Sequence, residues 1–319
     1  MKKILTIVGP TAVGKTSLAV SVANQLNGEI IGLDSRQIYK GMEIGTVQPT
    51  EEEMGGIPHH LIGFREPSEP VSAGEYAKLV KEKITEIQSK GKRPIICGGA
   101  GLYYRALTHG IFEGSISNLN VRQKLNREYD SNPEKLLKQL QSIDPDYAKI
   151  VHINNKKRLV RALEIYETTG KSPSEHFQKQ KDDFGGNLDL FSVLLSMKKQ
   201  TFNDRIEMRV ETMLTDGWVD EVKQLIKYQT ESGLEFPPLN SIGYKQIQSY
   251  LKKEISYDEM KEEIIVKTRQ YSRRQIQWFR KENINVTIDV SQLSKNQITE
   301  NIFDALYKTK NYSLNKTIE

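Results

Sequence analysis

Short unbroken apolar runs punctuate the first third of the chain. Ile4-Leu5-Thr6-Ile7-Val8 is the first, and residues 29–33 and 94–97 repeat the pattern. Between them, apolar residues recur at spacings of three and four. Buried runs separated by amphipathic helices predict a parallel sheet covered on both faces. Strands are therefore expected at 4–8, 29–33 and 94–97. Helices are expected at 15–26, at 73–89 with Ser72 and Glu75 as a capping box, and from about residue 102.

From 114 to 184 the β-branched runs vanish and helix caps multiply. Asn132-Pro133-Glu134 and Asp144-Pro145 read as helix starts, and Gly170 as a stop after a helix over 156–169. Strand character returns at 188–195, followed by a helix over 202–216 with Ile206, Val210, Met213 and Leu214 on one face. A last long helix starts after Ser256, with Glu259 completing a capping box, and runs to about Arg280. Past Asn283 the chain is polar, and its final residues are expected to fray. The fold expected is α/β. Residues 1–113 and 185–319 form a P-loop-type parallel sheet core flanked by helices, and 114–184 form a mostly helical insertion domain.

Composition narrows this picture. The chain has 319 residues, 37% hydrophobic, and a net charge of +5, so a positive surface matters only if its charges are gathered. Cys97 is the single cysteine. It excludes an internal disulfide and a multi-cysteine zinc site, which suits a reducing, cytoplasmic compartment, and a strand position makes it a small core residue. Met1-Lys2-Lys3 imitates a signal peptide, but the apolar run stops at Gly9. No stretch approaches the ~20 apolar residues that cross a membrane, and nothing requires more than a monomer. His59 and His60 lack carboxylate or cysteine partners at ligand spacing, so a structural role after Pro58 is expected.

The segment Gly9-Pro10-Thr11-Ala12-Val13-Gly14-Lys15-Thr16 matches G-x-x-x-x-G-K-[ST] between a strand and a helix, the context that motif needs. Backbone N–H groups of Gly9, Thr11, Ala12, Val13 and Gly14 converge on phosphate oxygens. The helix beginning at Lys15, Thr16 and Ser17 presents its positive dipole end, Lys15 adds a charge, and the Thr16 hydroxyl can ligate Mg²⁺. ATP, GTP and an organic pyrophosphate all fit such a loop. A P-loop small-molecule kinase is one reading and a non-catalytic RNA-binding module another. Pro94-Ile95-Ile96-Cys97-Gly98-Gly99 ends without the Asp that holds Mg²⁺ in many P-loop enzymes, which counts against nucleotide hydrolysis.

Asp34 follows the second strand, at the sheet edge where open α/β folds bind ligands. It is a candidate general base, or else a carboxylate that caps a turn or orients magnesium from outside its ligands. Arg205 and Arg209 lie one helical turn apart and can reach one anion; a solvated charged face is the plain alternative.

A resemblance now becomes specific. The phosphate loop is followed in order by Asp34-Ser35-Arg36-Gln37-Ile38-Tyr39-Lys40-Gly41-Met42, Ile44-Gly45-Thr46 and Pro58-His59-His60. Next come Gly98-Gly99-Ala100-Gly101-Leu102-Tyr103 and Arg158-Leu159-Val160-Arg161-Ala162-Leu163-Glu164. Arg205-Ile206 with Arg209, Ile242-Gly243-Tyr244-Lys245-Gln246, Thr268-Arg269-Gln270 and Arg274-Gln275-Ile276 complete the series. Together these resemble the bacterial tRNA dimethylallyltransferase family over nearly the whole chain. The resemblance implies transfer of a dimethylallyl group from dimethylallyl pyrophosphate to the exocyclic amine of the adenosine 3′ of the tRNA anticodon. It implies catalytic roles for Asp34, Arg209 and Lys15, with Arg205 on the pyrophosphate and Mg²⁺ at Thr16. It also implies contacts from Asp34, Ser35, Arg36, Gln37, Gly101 and Gln123 to the anticodon stem-loop. One position departs: the family has threonine where Ala100 stands, so a hydroxyl expected beside the amine and Asp34 is missing. Ala100 is expected to lower the rate and spare pyrophosphate binding.

The gathered positive charge lies in three places. Residues 267–280 carry Lys267, Arg269, Arg273, Arg274 and Arg280 with no acid. Lys156, Lys157, Arg158 and Arg161 form a second cluster, and the stretch with Asn240, Gly243, Tyr244 and Lys245 a third. On the long helix Arg269, Arg273 and Arg280 share a stripe, while Ile265, Ser272, Ile276 and Phe279 share another that can dock on the core. Three clusters suit a folded RNA, whose phosphates fix register without reading sequence.

Overall fold

The structure is a computed structural model describing residues 3–110, 118–183 and 188–314. The chain divides into two compact units, Met1–Arg105 with Leu188–Glu319, and Ala106–Asn187.

The first unit begins with β1 (Ile4–Val8), α1 (Lys15–Leu26), β2 (Gly28–Leu33), two short helices α2 (Glu43–Thr46) and α3 (Glu51–Met54), β3 (His59–His60), α4 (Ala73–Ser89) and β4 (Arg93–Gly98); α5 (Gly101–His109) follows. Every residue of β1 and β2 is buried, as strands covered on both faces must be. The second unit contains α6 (Leu119–Ser131), α7 (Pro133–Ile143), α8 (Pro145–Ala148), α9 (Lys156–Thr169) and α10 (Pro173–Asp183). The first unit resumes with β5 (Leu190–Ser196), α11 (Lys199–Thr215), α12 (Trp218–Ser232), a 3-10 turn (Pro237–Asn240), α13 (Tyr244–Leu251), α14 (Tyr257–Phe279), β6 (Val286–Asp289) and α15 (Lys295–Leu314).

The strands form one six-stranded sheet in the order β3-β2-β4-β1-β5-β6. All its pairings are parallel. Its register fixes what comes next: Val8 pairs with Gly98 and Leu194, and Gly98 with Leu33. β1, β2 and β4 thus end level while β5 runs two residues further, and the segments after β1, β2 and β4 emerge side by side at the carboxyl edge. The core on one face joins Leu5, Ile7 and Val193 of the sheet to Leu18, Val22 and Ala23 of α1 and Ile298, Ile302 and Leu306 of α15.

In the second unit Leu125, Leu136, Leu140, Leu159 and Leu163 form the core. The Asn132 side chain accepts from Lys135 N–H at 3.0 Å and that of Asp144 from Tyr147 N–H at 2.9 Å, so both Asx-Pro pairs start helices. Gly170 ends α9 at φ 71°, which favours glycine. The fully buried Glu164 carboxylate receives Arg122 at 2.9 Å, Arg161 at 2.9 Å and Asn118 N–H at 3.0 Å. Burial pushes its pKa up, but the two guanidinium groups outweigh that and hold it below the ordinary carboxylate value.

Three expectations change. The capping box at α4 is half present: Ser72 Oγ accepts from Glu75 N–H at 3.2 Å, while the Glu75 carboxylate turns to Arg65. The helix expected from residue 202 starts at Lys199. Beyond Asn283 the chain is ordered into β6 and α15 rather than simply polar. The edge strand β6 takes its stability from its ladder to β5 and buries only Ile288, so its apolar signal is weak. The expected fraying falls partly on residues 315–319, outside the described residues. His59 and His60 are structural: they pair with β2, and His60 Nε2 lies 2.7 Å from buried Glu29, which Lys92 also meets at 2.7 Å. Among the described residues no helix is long and apolar enough to cross a membrane.

Candidate active site at the carboxyl edge of the sheet

The segment after β1 is wound as a phosphate loop. Ala12 has φ 65° and Gly14 φ 93°, left-handed conformations that turn the chain into α1. The N-terminus of α1 therefore opens at Lys15, Thr16 and Ser17, with four backbone N–H groups unpaid by the helix itself. Ser17 Oγ donates to Gly14 O at 3.4 Å. The Thr16 hydroxyl takes no partner among the described residues. Lys15 Nζ donates to Pro10 O at 2.7 Å. Burial is the chief cause that lowers the Lys15 pKa to about 8; neighbouring Arg209 adds to this, while Cys97 and Asp34 oppose it.

Helix α11 brings the second cationic group. A Cβ on Gly14 would lie 3.7 Å from an Arg205 guanidinium nitrogen, so the exposed Arg205 reaches the loop itself. Arg209, one turn on, is desolvated, which lowers its pKa, while Asp34 and Glu53 raise it. Arg205 thus lies beside the loop, and Arg209 acts electrostatically on Lys15 and Asp34.

Asp34 follows β2. Its Oδ1 accepts from Arg36 N–H at 2.8 Å and Gln37 N–H at 3.4 Å, an Asx-type turn that orients the carboxylate. Oδ2 has no hydrogen bond among the described residues. Tyr76 and Tyr103 stack with ring centroids 4.1 Å apart. The Tyr76 hydroxyl donates to Gly32 O and that of Tyr103 to Val71 O. Burial raises the pKa of Tyr76, Tyr103 and Tyr271, and the Asp34 charge raises each further. The Asp34 charge thus acts both on the cationic groups Lys15 and Arg209 and on the phenols Tyr76, Tyr103 and Tyr271.

The glycines after β4 are required by close approach. A Cβ on Gly98 would lie 2.1 Å from Leu33 O, and one on Gly99 would lie 2.4 Å from Gln275 Nε2 and 2.9 Å from Gly9 O. Ala100 is buried and donates its N–H to Leu33 O at 3.0 Å, so its methyl group sits beside the backbone that carries Asp34. Cys97 is partly buried against the sheet core, and desolvation raises its pKa to about 11. It stays a thiol beside Lys15. No group of three or more His, Cys, Asp or Glu side chains suited to a metal occurs among the described residues.

The family model described as IPP transferase matches residues 37–282. The chain belongs to that family. It is 39% identical over 302 residues to the tRNA dimethylallyltransferase of Petrotoga mobilis, covering 95% of this chain and 98% of that one. It is 42% identical over 287 residues to that of Thermoanaerobacter sp. strain X514, covering 87% and 89%. Among solved structures, the tRNA isopentenylpyrophosphate transferase of Bacillus halodurans superposes with TM-score 0.70 at 35% identity, covering 98% and 99%. A eukaryotic dimethylallyltransferase captured acting on tRNA gives TM-score 0.78 at 30% identity, covering 92% and 75%. The fold is the one these IPP transferases share.

Within this IPP transferase, the residues expected to meet RNA divide by exposure. Arg36, Arg273, Arg274, Arg280, Asn240, Lys245, Gln123, Lys157 and Arg158 are exposed. Ser35 is half-buried. Others are committed elsewhere. The Gln37 amide donates to Thr46 O at 3.2 Å and Val47 O at 2.6 Å. Arg161 pairs with Glu164. Gly101 lies beneath Trp278, whose ring would be 2.4 Å from a Cβ there. Arg269 pairs with Glu207 rather than joining the open stripe.

Two expected contacts are corrected. Tyr244 is 1% exposed and gives its hydroxyl to Glu221 at 2.7 Å, so its ring belongs to the core. Gly243 is buried with it, and a Cβ there would overlap the Trp218 ring. These two residues shape the turn that presents Asn240 and Lys245. Sequence reasoning missed Gln275 as a site residue, although it was a polar residue one position from the apolar stripe of α14. It also missed the tyrosines, which are dispersed over three elements.

Proposed function

We propose that this enzyme transfers the dimethylallyl group of dimethylallyl pyrophosphate to the N6 amine of the adenosine immediately 3′ of the anticodon in tRNA, releasing pyrophosphate. The observation that carries the reading is that one carboxylate, Asp34, acts on both the phosphate-loop cations and the buried phenols. A phosphate loop, a carboxylate and aromatic side chains thus gather at one edge of the sheet. Neither a kinase nor a passive RNA module calls for it.

An exocyclic amine is a weak nucleophile, so most of the barrier falls by stabilising charge on the departing pyrophosphate. The N–H groups at the start of α1, Lys15, Arg205 and Arg209 do this. Thr16 offers one hydroxyl oxygen and no carboxylate cage occurs among the described residues, which fits Mg²⁺, an ion that keeps waters and shares substrate phosphates. Bound there, Mg²⁺ supplies further neutralisation of the leaving group. As the C–N bond forms the nitrogen becomes acidic, and Asp34 takes the proton at a carboxylate oxygen. The phenols and the Cys97 thiol stay protonated, so none competes with the adenine amine for the allylic carbon. The target base is extruded from the anticodon loop to reach the edge of the sheet. Phosphate contacts come from the exposed cations of α14 and α9, which makes the helical insertion a tRNA-binding domain.

The test is transfer of labelled dimethylallyl to an anticodon stem-loop with adenosine at the target position. Wild type is expected to transfer only with Mg²⁺ present, and Asp34→Ala to lower kcat by at least ~10²-fold at saturating stem-loop. Ala100→Thr, which restores a hydroxyl beside the amine, is expected to raise kcat while KM for dimethylallyl pyrophosphate stays within about twofold. Consumption of ATP without RNA, or full activity in Asp34→Ala, would sink the reading.

A further inference from the structure

Gln275 stands out because α14 otherwise buries apolar or small residues against the core: Met260, Ile264, Ile265, Ser272 and Phe279. A long polar side chain is costly there unless both ends of its amide are satisfied. Both are. Oε1 accepts from Thr11 N–H at 3.0 Å, and Nε2 donates to Gly99 O at 2.9 Å. One side chain, 5% exposed, thus ties the middle of the phosphate loop to the turn after β4. The tie is close: a methyl group on Gly99 would overlap the amide nitrogen.

Two consequences follow from the geometry. The Thr11 N–H is spent on Gln275, which corrects the expectation that it meets phosphate; the unpaired amides at the start of α1 are left for that. The Gly99 carbonyl is pinned one residue before Ala100, beside the backbone that carries Asp34. The distance between the pyrophosphate grip and the amine-activating carboxylate is therefore held through an amide that touches neither reactant.

We propose that Gln275 is a positioning residue for prenyl transfer, setting the phosphate loop in register with the Asp34 side of the pocket from within the helix whose outer face carries Arg273, Arg274 and Arg280. This rests on the transferase reading above. Displacement by a fraction of an ångström costs rate steeply when two reactants must be held at contact distance.

The experiment uses Gln275→Met, which keeps the length and removes both hydrogen bonds, and Gln275→Glu, which keeps an acceptor for Thr11 and sets a carboxylate against the Gly99 carbonyl. Steady-state transfer is measured for both substrates at a temperature where each variant is folded by circular dichroism, with stem-loop Kd measured separately without dimethylallyl pyrophosphate. Both variants are expected to raise KM for dimethylallyl pyrophosphate and lower kcat, so that kcat/KM falls by about tenfold or more, while stem-loop Kd moves less than about twofold. Three results would overturn the proposal: unchanged kcat/KM, a loss carried only by stem-loop Kd, or a fall in kcat with both KM values unchanged, which marks a smaller folded fraction. Wild type in the same assay separates the two claims. If it does not transfer, the transferase reading fails; if it transfers and the variants match it, only the role of Gln275 fails.

Discussion

At the residue scale the site is assembled from groups whose protonation is set by burial. Lys15 is the sharpest case, since desolvation brings its pKa to about 8 in the unliganded protein. Pyrophosphate binds the ammonium and not the free amine. The kcat/KM for dimethylallyl pyrophosphate is therefore expected to fall above pH 8, approaching one decade per unit as the ammonium is lost, while stem-loop affinity stays flat. A pH profile of single-substrate kinetics checks this, and a profile level to pH 9.5 would contradict it. Lys15, Thr16 and Asp34 were legible because a short-range motif fixes them. Gln275 and the tyrosines were not, because their relation to Asp34 comes from packing between distant segments. Tyr244 and Gly243 show the converse: a motif can be recognised correctly and still lie inside the protein.

At the scale of elements, helices with caps and uninterrupted periods were the most readable. The spans of α1 and α9 follow directly from a strand-to-loop transition, an Asn cap and a terminal glycine. The terminal elements β6 and α15 were not legible as secondary structure, since one is an edge strand and the other mixes its Ile298, Ile302 and Leu306 stripe into a polar stretch. Helix α14 joins two roles on opposite faces, one polar anchor inside and three exposed arginines outside. Its outer face should act electrostatically. Arg273→Gln and Arg280→Gln are each expected to weaken stem-loop binding and reduce the slope of log K against log salt by roughly 0.7–0.9, with kcat at saturating RNA unchanged. Salt titrations by anisotropy measure this, and an unaltered slope would place those arginines off the RNA.

At the scale of the molecule, the two units carry different pH sensitivities. The second depends on Glu164, whose pKa is held down by Arg161 and Arg122 against the cost of burial. A depressed carboxyl contributes stability above its unfolded value of 4.5 and loses it as pH falls through the folded value. Glu164→Gln removes the charge that both guanidinium groups meet, and it is expected to cost about 1.5–3 kcal/mol at pH 7 and less at pH 3, below the unfolded carboxyl value. Denaturant melts of the full chain at the two pH values would show it, and equal losses at both would contradict it. Lys15 shifts stability with pH in the same direction but for the opposite reason. Its lowered pKa means its charge destabilises the empty fold below pH 8, a cost relieved between 8 and 10.5 or when pyrophosphate binds.

The strand order carries one more consequence. β1, which launches the phosphate loop, lies between β4 and β5, and its neighbours are residues 93–98 and 190–196. The face of α1 is closed by α15, beginning at Lys295. On a ribosome β1 gains both strand partners only once residues 190–196 have been made, and α1 gains its cover only after Lys295. The phosphate loop is therefore braced late in synthesis, by segments remote from it in sequence.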